Sequence, residues 1–563
     1  MRRVVVLLFA VVLIAAAQVG QGPGLPPVKP LEVPPRIGIL SSTTITLDDV
    51  IARVLANNSD IAVQRFSRDE SPLNVKAAQG YFDPQVGFTA QRQRQVSPVT
   101  SLLGGAANGK LTQGEYLADP FVSGTFEPTG GTYKLDFSSA KQTSDSQFLT
   151  LNPQFPTSVN LNVTQPLWRG LFFDTNRHRL AVAKKNVALS DAQLRQTVIN
   201  TVSQAVQDFY ELDYAYTNLN VQIEAVHLAA QQDASNRRQV QQGLLAPADV
   251  IQTQTQLATF QQNVFLAQQA LTNAEDGLKA LLTADRSDPI WTTALVPQHV
   301  ESGEERVPRI ETAIAIALKS RPEIAEAALS IDVNRLDVRL ARDEVKPQID
   351  FVATASLNGL SGHVLPPQPN PLTAGFVGLG TEVNELAALN GLPPIGSLSF
   401  GSGTVPPIFV GGYSKSLSAL TTGTFPTVTV GLNVSLPIRN RTAKANAAIA
   451  LLEGKRLAAQ SRQVELAVVQ DVRNAVQGLS SAHASLDAAV SAREYAEQQY
   501  ASEQRQFQAG TSTVFLVLQR QTDLVSARTR EVRARADLGE AEVNLQRAMS
   551  TTLETRNINL QTN

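Results

Sequence analysis

Side chains able to do chemistry are sparse and scattered along these 563 residues. The five histidines, His178, His227, His299, His363 and His483, form no H-E-x-x-H pair and no other ligand spacing. Cysteine is absent. That excludes disulfides, Cys-ligated zinc, iron–sulfur clusters, thiol nucleophiles and a lipid-anchoring cysteine. There is no P-loop, dinucleotide fingerprint or G-x-S-x-G elbow. Nothing in the pattern supports catalysis, a cofactor or a metal, so the sequence reads as a non-enzyme. Lys plus Arg is 48 and Asp plus Glu 50, for a net charge of −2. This balance lacks the basic excess of a nucleic-acid binder. With 43% apolar and 17% charged residues, the chain is too apolar to be disordered.

The residues with a positional logic are glycines and prolines at reversals. Gly243 and Gly510 each follow a very long apolar-periodic stretch, where a helix needs a left-handed residue to turn back. Pro247 suits the first turn of a returning helix, and Asp249 then lies near its positive N-terminus. Ordinary hairpin capping accounts for the glycines by itself. Residues 171–242 contain no proline and as one helix would run roughly 105 Å; residues 440–508 behave alike. Leu194, Val198, Val202, Val206, Phe209, Ile223 and Val226 form one stripe, and Val464, Val468, Val472, Val476, Leu479, Leu486 and Val490 another. Helices of this length pack as coiled coils.

Four segments alternate with period two. Val86, Phe88 and Ala90 oppose Gly87, Thr89 and Gln91; Val159, Leu161 and Val163 oppose Asn160, Asn162 and Thr164. Ile349, Phe351, Ala353 and Ala355 oppose Asp350, Thr354 and Ser356, and Val428 to Leu436 oppose Thr427 to Ser435. Such segments suit transmembrane β-strands, with a half-buried soluble sheet as the alternative. Four strands cannot close a barrel, and an open edge in lipid leaves backbone groups unpaired. If these strands span a membrane, several chains must therefore share one barrel.

These elements recur in the same order twice. Asp83-Pro84-Gln85-Val86 matches Lys346-Pro347-Gln348-Ile349, and Val163-Thr164-Gln165-Pro166-Leu167 matches Val434-Ser435-Leu436-Pro437-Ile438. The reading divides the chain into a signal peptide at 1–17, a Pro/Gly-rich linker at 18–44, a first repeat at 45–282, an equatorial linker at 283–308, a second repeat at 309–549 and a tail at 550–563. Each repeat holds a helix, two strands (near 84–94 and 158–168, then near 348–358 and 427–437), a long helix (171–242, then 440–508) and a return helix (248–282, then 513–549). Residues 97–157 and 359–426 are polar, Gly- and Pro-rich insertions, expected as long outer loops that cap the barrel, line it or stay mobile. Arg169, Arg177, Arg179, Lys184, Lys185, Arg439, Arg441 and Lys444 cluster where strand gives way to helix, as a solvated face or against lipid headgroups.

The ordered set resembles the TolC family of outer-membrane channels. The resemblance rests on the duplicated order, on Thr164-Gln165-Pro166-Leu167 and Ser435-Leu436-Pro437-Ile438, and on the two tips at 242–250 and 509–517. It implies a mixed α and β membrane protein: a trimeric 12-stranded transmembrane β-barrel, four strands per chain, continued by an α-helical coiled-coil barrel in the periplasm. Pro166 and Pro437 would mark the barrel-to-helix transition. Gln242, Gly243, Leu244, Leu245 and Ala246, with Ala509, Gly510, Thr511 and Ser512, would dock a periplasmic adaptor. The entrance would hold Asp249, Phe507, Leu516 and Gln519. Leu516 and Gln519 stand where relatives carry an acidic ring, and Phe507 and Ser512 where a tyrosine and an arginine lock the closed state, so a more apolar constriction is expected. The resemblance implies a homotrimer in the bacterial outer membrane that serves an inner-membrane efflux pump or secretion ATPase as a passive exit duct. The alternative from the helices alone is a periplasmic coiled-coil scaffold without a pore.

Overall fold

The computed structural model describes residues 30–100, 106, 109–299, 306–366, 374–396 and 404–559. The signal segment 1–17 lies outside them. The chain forms two units, one of residues 1–70, 188–329 and 458–563, the other of 71–187 and 330–457.

The first unit is helical. Its core joins α1 (Leu47–Asn57), α3 (Thr175–Gln241) and α4 (Pro247–Leu282) through Val50, Val54, Val198, Val202, Phe209 and Leu278. A second cluster packs α5 (Ile310–Ser320) on α9 (Arg441–Gln508) and α10 (Val514–Met549) through Ala313, Val472, Leu479 and Leu545. The expected stripe on α3 is buried from Leu194 to Val226 except at Ile223, which is exposed. The short helix opening each repeat is broken in two. In the first repeat Asn58 separates α1 from α2 (Ser59–Gln79); its side chain caps Asp60 N–H and donates to the Leu281 carbonyl at the end of α4. In the second, Arg321 separates α5 from α6 (Pro322–Glu344) and reaches the Ala548 carbonyl at the end of α10. Different residues thus do the same work at equivalent points of the duplication.

Each linker contributes to a short parallel strand pair. Thr293–Pro297 (β6) runs parallel to Ser41–Ile45 (β1), from Ser41 against Thr293 to Ile45 against Pro297. Upstream, Arg36 meets Glu275 at 2.6 Å, and Glu275 also pairs with Lys279 at 2.6 Å. Both Glu275 and Lys279 are fully buried, so each charge depends on its partners.

The second unit corrects the strand count. Its sheet has six strands in the order β2 (Gln85–Pro98), β3 (Lys110–Thr125), β4 (Thr132–Ser144), β5 (Leu151–Pro166), β7 (Gln348–Val364) and β8 (Phe425–Ser435). The expectation of four strands per chain, and of a loop throughout 97–157, is therefore wrong. Gly114, Asp119, Pro120, Pro153 and Pro156 gave the insertion a loop-like composition, yet long-range pairing on both sides holds 110–144 as an antiparallel hairpin. The insertion at 359–426 is also structured. β7 extends to Val364, and α7 (Ala374–Leu389) and α8 (Tyr413–Thr421) precede β8. The tail at 550–559 contains one helical turn, α11 (Thr552–Thr555).

Candidate functional site

All six strands put most of their apolar residues on one face, with Leu117, Phe121 and Val352 among those on the other. Val86, Val122, Leu135, Leu161, Ala355 and Val428 are consecutive cross-strand partners, a single apolar row across the whole sheet. Offset by one residue, Gln85, Ser123, Lys134, Asn162, Thr354 and Thr429 form an equally continuous polar row on the opposite face. The next row on that face joins Gly87, Phe121, Asp136, Asn160, Ser356 and Thr427. Its members are tied by Asn160 Nδ2 donating to Asp136 at 2.7 Å, and Thr354 Oγ1 donates to Asn162 at 3.0 Å in the row beside it. Val428 remains 72% exposed and Phe88 67%, so the apolar face is left open by the chain itself. A sheet with one apolar and one polar face has the pattern of a wall between lipid and water.

Further along the strands, away from their helix-connected ends, the apolar face changes character. Arg92, stacked over the Tyr116 ring at 5.2 Å, and Lys141 mark a polar boundary. At that level the small residues Ser139, Thr157, Gly359 and Ser361 admit α8. Thr157 Oγ1 and Ser416 Oγ lie 2.6 Å apart, both buried, and Ser361 Oγ donates to the Gly412 carbonyl. At the helix-connected end, Tyr81, Trp168 and Phe172 are exposed, the aromatic type enriched where a barrel meets headgroups.

Pro166 is the last residue of β5, and Pro437 lies two residues beyond β8. The start of α3 beside Pro166 is held by Arg177, whose side chain is only 10% exposed. Arg177 pairs with Asp174 at 2.8 Å and donates to the carbonyls of Pro128, Leu171 and Gly170. Gln165 Nε2 donates to the Thr129 carbonyl at 3.0 Å, and Thr129 Oγ1 donates back to Gln165 at 2.9 Å. The β3–β4 turn is thus latched to the strand-to-helix junction. Lys185 of the basic cluster also has a protein partner, meeting Asp332 at 2.8 Å, and His178 nearby meets Asp337 at 2.7 Å. Sequence reasoning missed Arg177 as a latch because the partner that ties it to the β3–β4 turn, the Pro128 carbonyl, is distant in sequence.

The two tips lie in the first unit, and both reverse as expected. Gly243 has φ +76° and Gly510 φ +75°. Leu244 N–H reaches back to the Gln239 carbonyl at 2.8 Å, and Thr511 N–H to that of Gln506 at 3.0 Å, the double-bonded helix end that favours glycine. Pro247 opens α4, and the Asp249 carboxylate accepts the Ala246 N–H at 3.2 Å. Gln242, Gly243, Leu244, Ala246, Ala509, Gly510 and Thr511 are exposed, with Leu244 at 71%; Leu245 and Ser512 are half-buried. Ser512 donates to Glu503. Phe507 and Asp249 are half-buried, whereas Leu516 and Gln519 are exposed. Asp249 is engaged within its own turn. Gln519 donates to Asp523 at 3.1 Å, and Arg520 pairs with the same carboxylate at 3.2 Å. Asp523, near the second tip, is an acid that sequence reasoning passed over, although its i, i+4 spacing from Gln519 was visible. Behind the tips, Gln256 bonds Thr522 at 3.1 Å and Val525 packs with Leu257, Phe260 and Val264.

Among the described residues no cluster of three or more His, Asp or Glu side chains could hold a metal, and no helix is long and apolar enough to cross a membrane. Comparison with known proteins gives a consistent picture. The outer membrane efflux protein family matches residues 50–284 and 404–551. Among solved structures, the Campylobacter jejuni CmeC outer membrane channel aligns with a TM-score of 0.60 at 14% identity, over 96% of this chain and 99% of that one. The outer membrane protein VceC from Vibrio cholerae aligns at 0.59 and 14%, over 90% and 96%. CusC, described with transmembrane channel formation, aligns at 0.60 and 15%, over 89% and 91%. A search of curated proteins gives no match. The fold is thus that of outer-membrane channels, and the family consists of non-enzymatic channels of the bacterial outer membrane. With both of its matched stretches falling on the repeats whose wall and tips are described above, this chain belongs to the outer membrane efflux protein family.

Proposed function

We propose that this protein is the passive outer-membrane exit duct of a tripartite efflux or type I secretion system. The observation that carries this reading is the sheet with one apolar and one polar row running unbroken across all six strands. A soluble scaffold has no use for an open apolar face of this extent. Three copies share one barrel, cargo passes along its polar face, and the helical part stands in the periplasm. The exposed tips at 242–246 and 509–512 receive a periplasmic adaptor, which couples the duct to an inner-membrane pump or secretion ATPase. Opening separates the paired helices at 235–255 and 502–522. The constriction, with Leu516 and Gln519 in place of an acidic ring and Phe507 in place of a tyrosine, is held by packing and by the local Gln519–Asp523–Arg520 set.

Gly243→Val and Gly510→Val test the docking assignment. Each places a β-branched side chain at a left-handed φ where no neighbouring atom obstructs it, so the damage is confined to the turn. The expected result is lost export with normal outer-membrane yield and an unchanged assembled mass. Normal export by both variants overturns the assignment. Single-channel recording of the purified wild type tests the pore itself, and absence of conductance under every condition that dissociates the tips overturns the duct.

A further inference from the structure

Among the described residues the sheet ends in two edges, β2 and β8, neither of which pairs with a further strand. Every neighbouring pair is antiparallel and the strand number is even, so β2 and β8 run in opposite directions. A β8 edge can therefore add to the β2 edge of a second copy without breaking the alternation. The apolar row reaches both edges, at Val86 and Val428, so both are lipid-bound and neither can stay open. Six strands are also too few to close alone.

We propose that β8 of one copy pairs with β2 of the next, and that three copies close an eighteen-stranded barrel in which the β3–β4 hairpin is wall. The number three rests on the trimer in the functional reading above; the number six is a property of this chain. Two features make the hairpin wall and not a flap. Val122 and Leu135 sit in the common apolar row, and the turn at 126–131 is latched to Gln165 and Arg177 at the junction. At a strand spacing of ~4.8 Å and a tilt near 40°, eighteen strands give a wall radius of about 18 Å, against about 12 Å for twelve.

The chain has no cysteine, so Ala355→Cys in β7 carries a single nitroxide on the apolar row. In lipid nanodiscs, inter-label distances are read by double electron–electron resonance, and the chain number by native mass. Three labels on a circle are separated by about 31 Å of backbone for eighteen strands and about 21 Å for twelve, a 1.5-fold difference. Leu135→Cys in β4 is the second site; as wall, it gives the same distance as Ala355→Cys. Three chains with the long distance at both sites support the proposal. Three chains with the short distance at Ala355→Cys, or unequal distances at the two sites, overturn it and leave the trimer standing. Any other chain number overturns the trimer and the eighteen-strand count together.

Discussion

The two insertions occupy the same place in the duplicated plan and have become different structures. The first, between β2 and β5, is a strand hairpin that joins the sheet; the second, between β7 and β8, carries α7 and α8, with α8 packed on the sheet's face. The difference follows from side-chain pattern. Tyr133, Leu135 and Phe137 alternate with Lys134 and Asp136, so the hairpin can present one face to lipid and one to water. In α8, Ser416, Ala419 and Leu420 fall three or four apart and are buried together, a helical face that can only lie on something already built. An insertion with period two extends a wall, and one with helical period decorates it.

The sharpest way to break this comparison is a charge in the hairpin. Leu135→Arg places a cation on the apolar row and is expected to cost about 2–4 kcal/mol per chain, with most assembled protein lost from the outer membrane. Lys134→Gln, one residue away on the polar face, is expected to leave assembly intact. Equal yields of the two variants, measured by heat-sensitive migration in gels, would remove the hairpin from the wall. Next comes the latch. Arg177→Ala removes an ion pair and several carbonyl bonds from a mostly buried site, at about 1.5–3 kcal/mol for the strongest charged bond. Protease cutting near 126–131 should rise in this variant; an unchanged digest would reduce the latch to a bystander.

For the second insertion the expected effect is local. Gly359→Leu drives a side chain into the Ser416 carbonyl, which crowds any Cβ at that position, at about 1–3 kcal/mol for overpacking. Undocked α8 should admit protease around 404–424 on intact cells while assembled mass and conductance hold. Loss of assembly would mean that α8 supports the wall and does not merely sit on it. The smallest effect lies outside both insertions and sets their background. Burial in the first unit raises the Glu540 carboxyl above its usual range; Arg533 opposes this, and Glu211, Asp537 and Asp208 add to it. A raised carboxyl favours the folded state most below its unfolded pKa, and the benefit fades as pH rises through the folded value. Wild-type Tm should thus be slightly higher at pH 5 than at pH 8, and Glu540→Gln should flatten that slope.

Much of the framework was legible in the sequence. The long helices were expected at 171–242 and 440–508 and are found at Thr175–Gln241 and Arg441–Gln508. Stripes such as Val198 to Phe209 carry their period in the chain itself. The tips were equally open to reading, because a left-handed reversal after a long helix asks for glycine whatever surrounds it. The surroundings of the second tip were less so. Leu516 and Gln519 stand out there in the sequence, but Asp523 does so only through the side chains it pairs with.

By itself the sequence determined which residues share a face and where the chain must turn, because periods of two and 3.6 and the preferences of glycine and proline act over a few residues. Only the tertiary structure decided how many strands stand side by side, that residues 41–45 and 293–297 pair, and that Arg177 closes a junction and does not face solvent. Each of these depends on partners tens to hundreds of residues away. A strand's pattern says that it needs a neighbour, and the folded chain supplies which one.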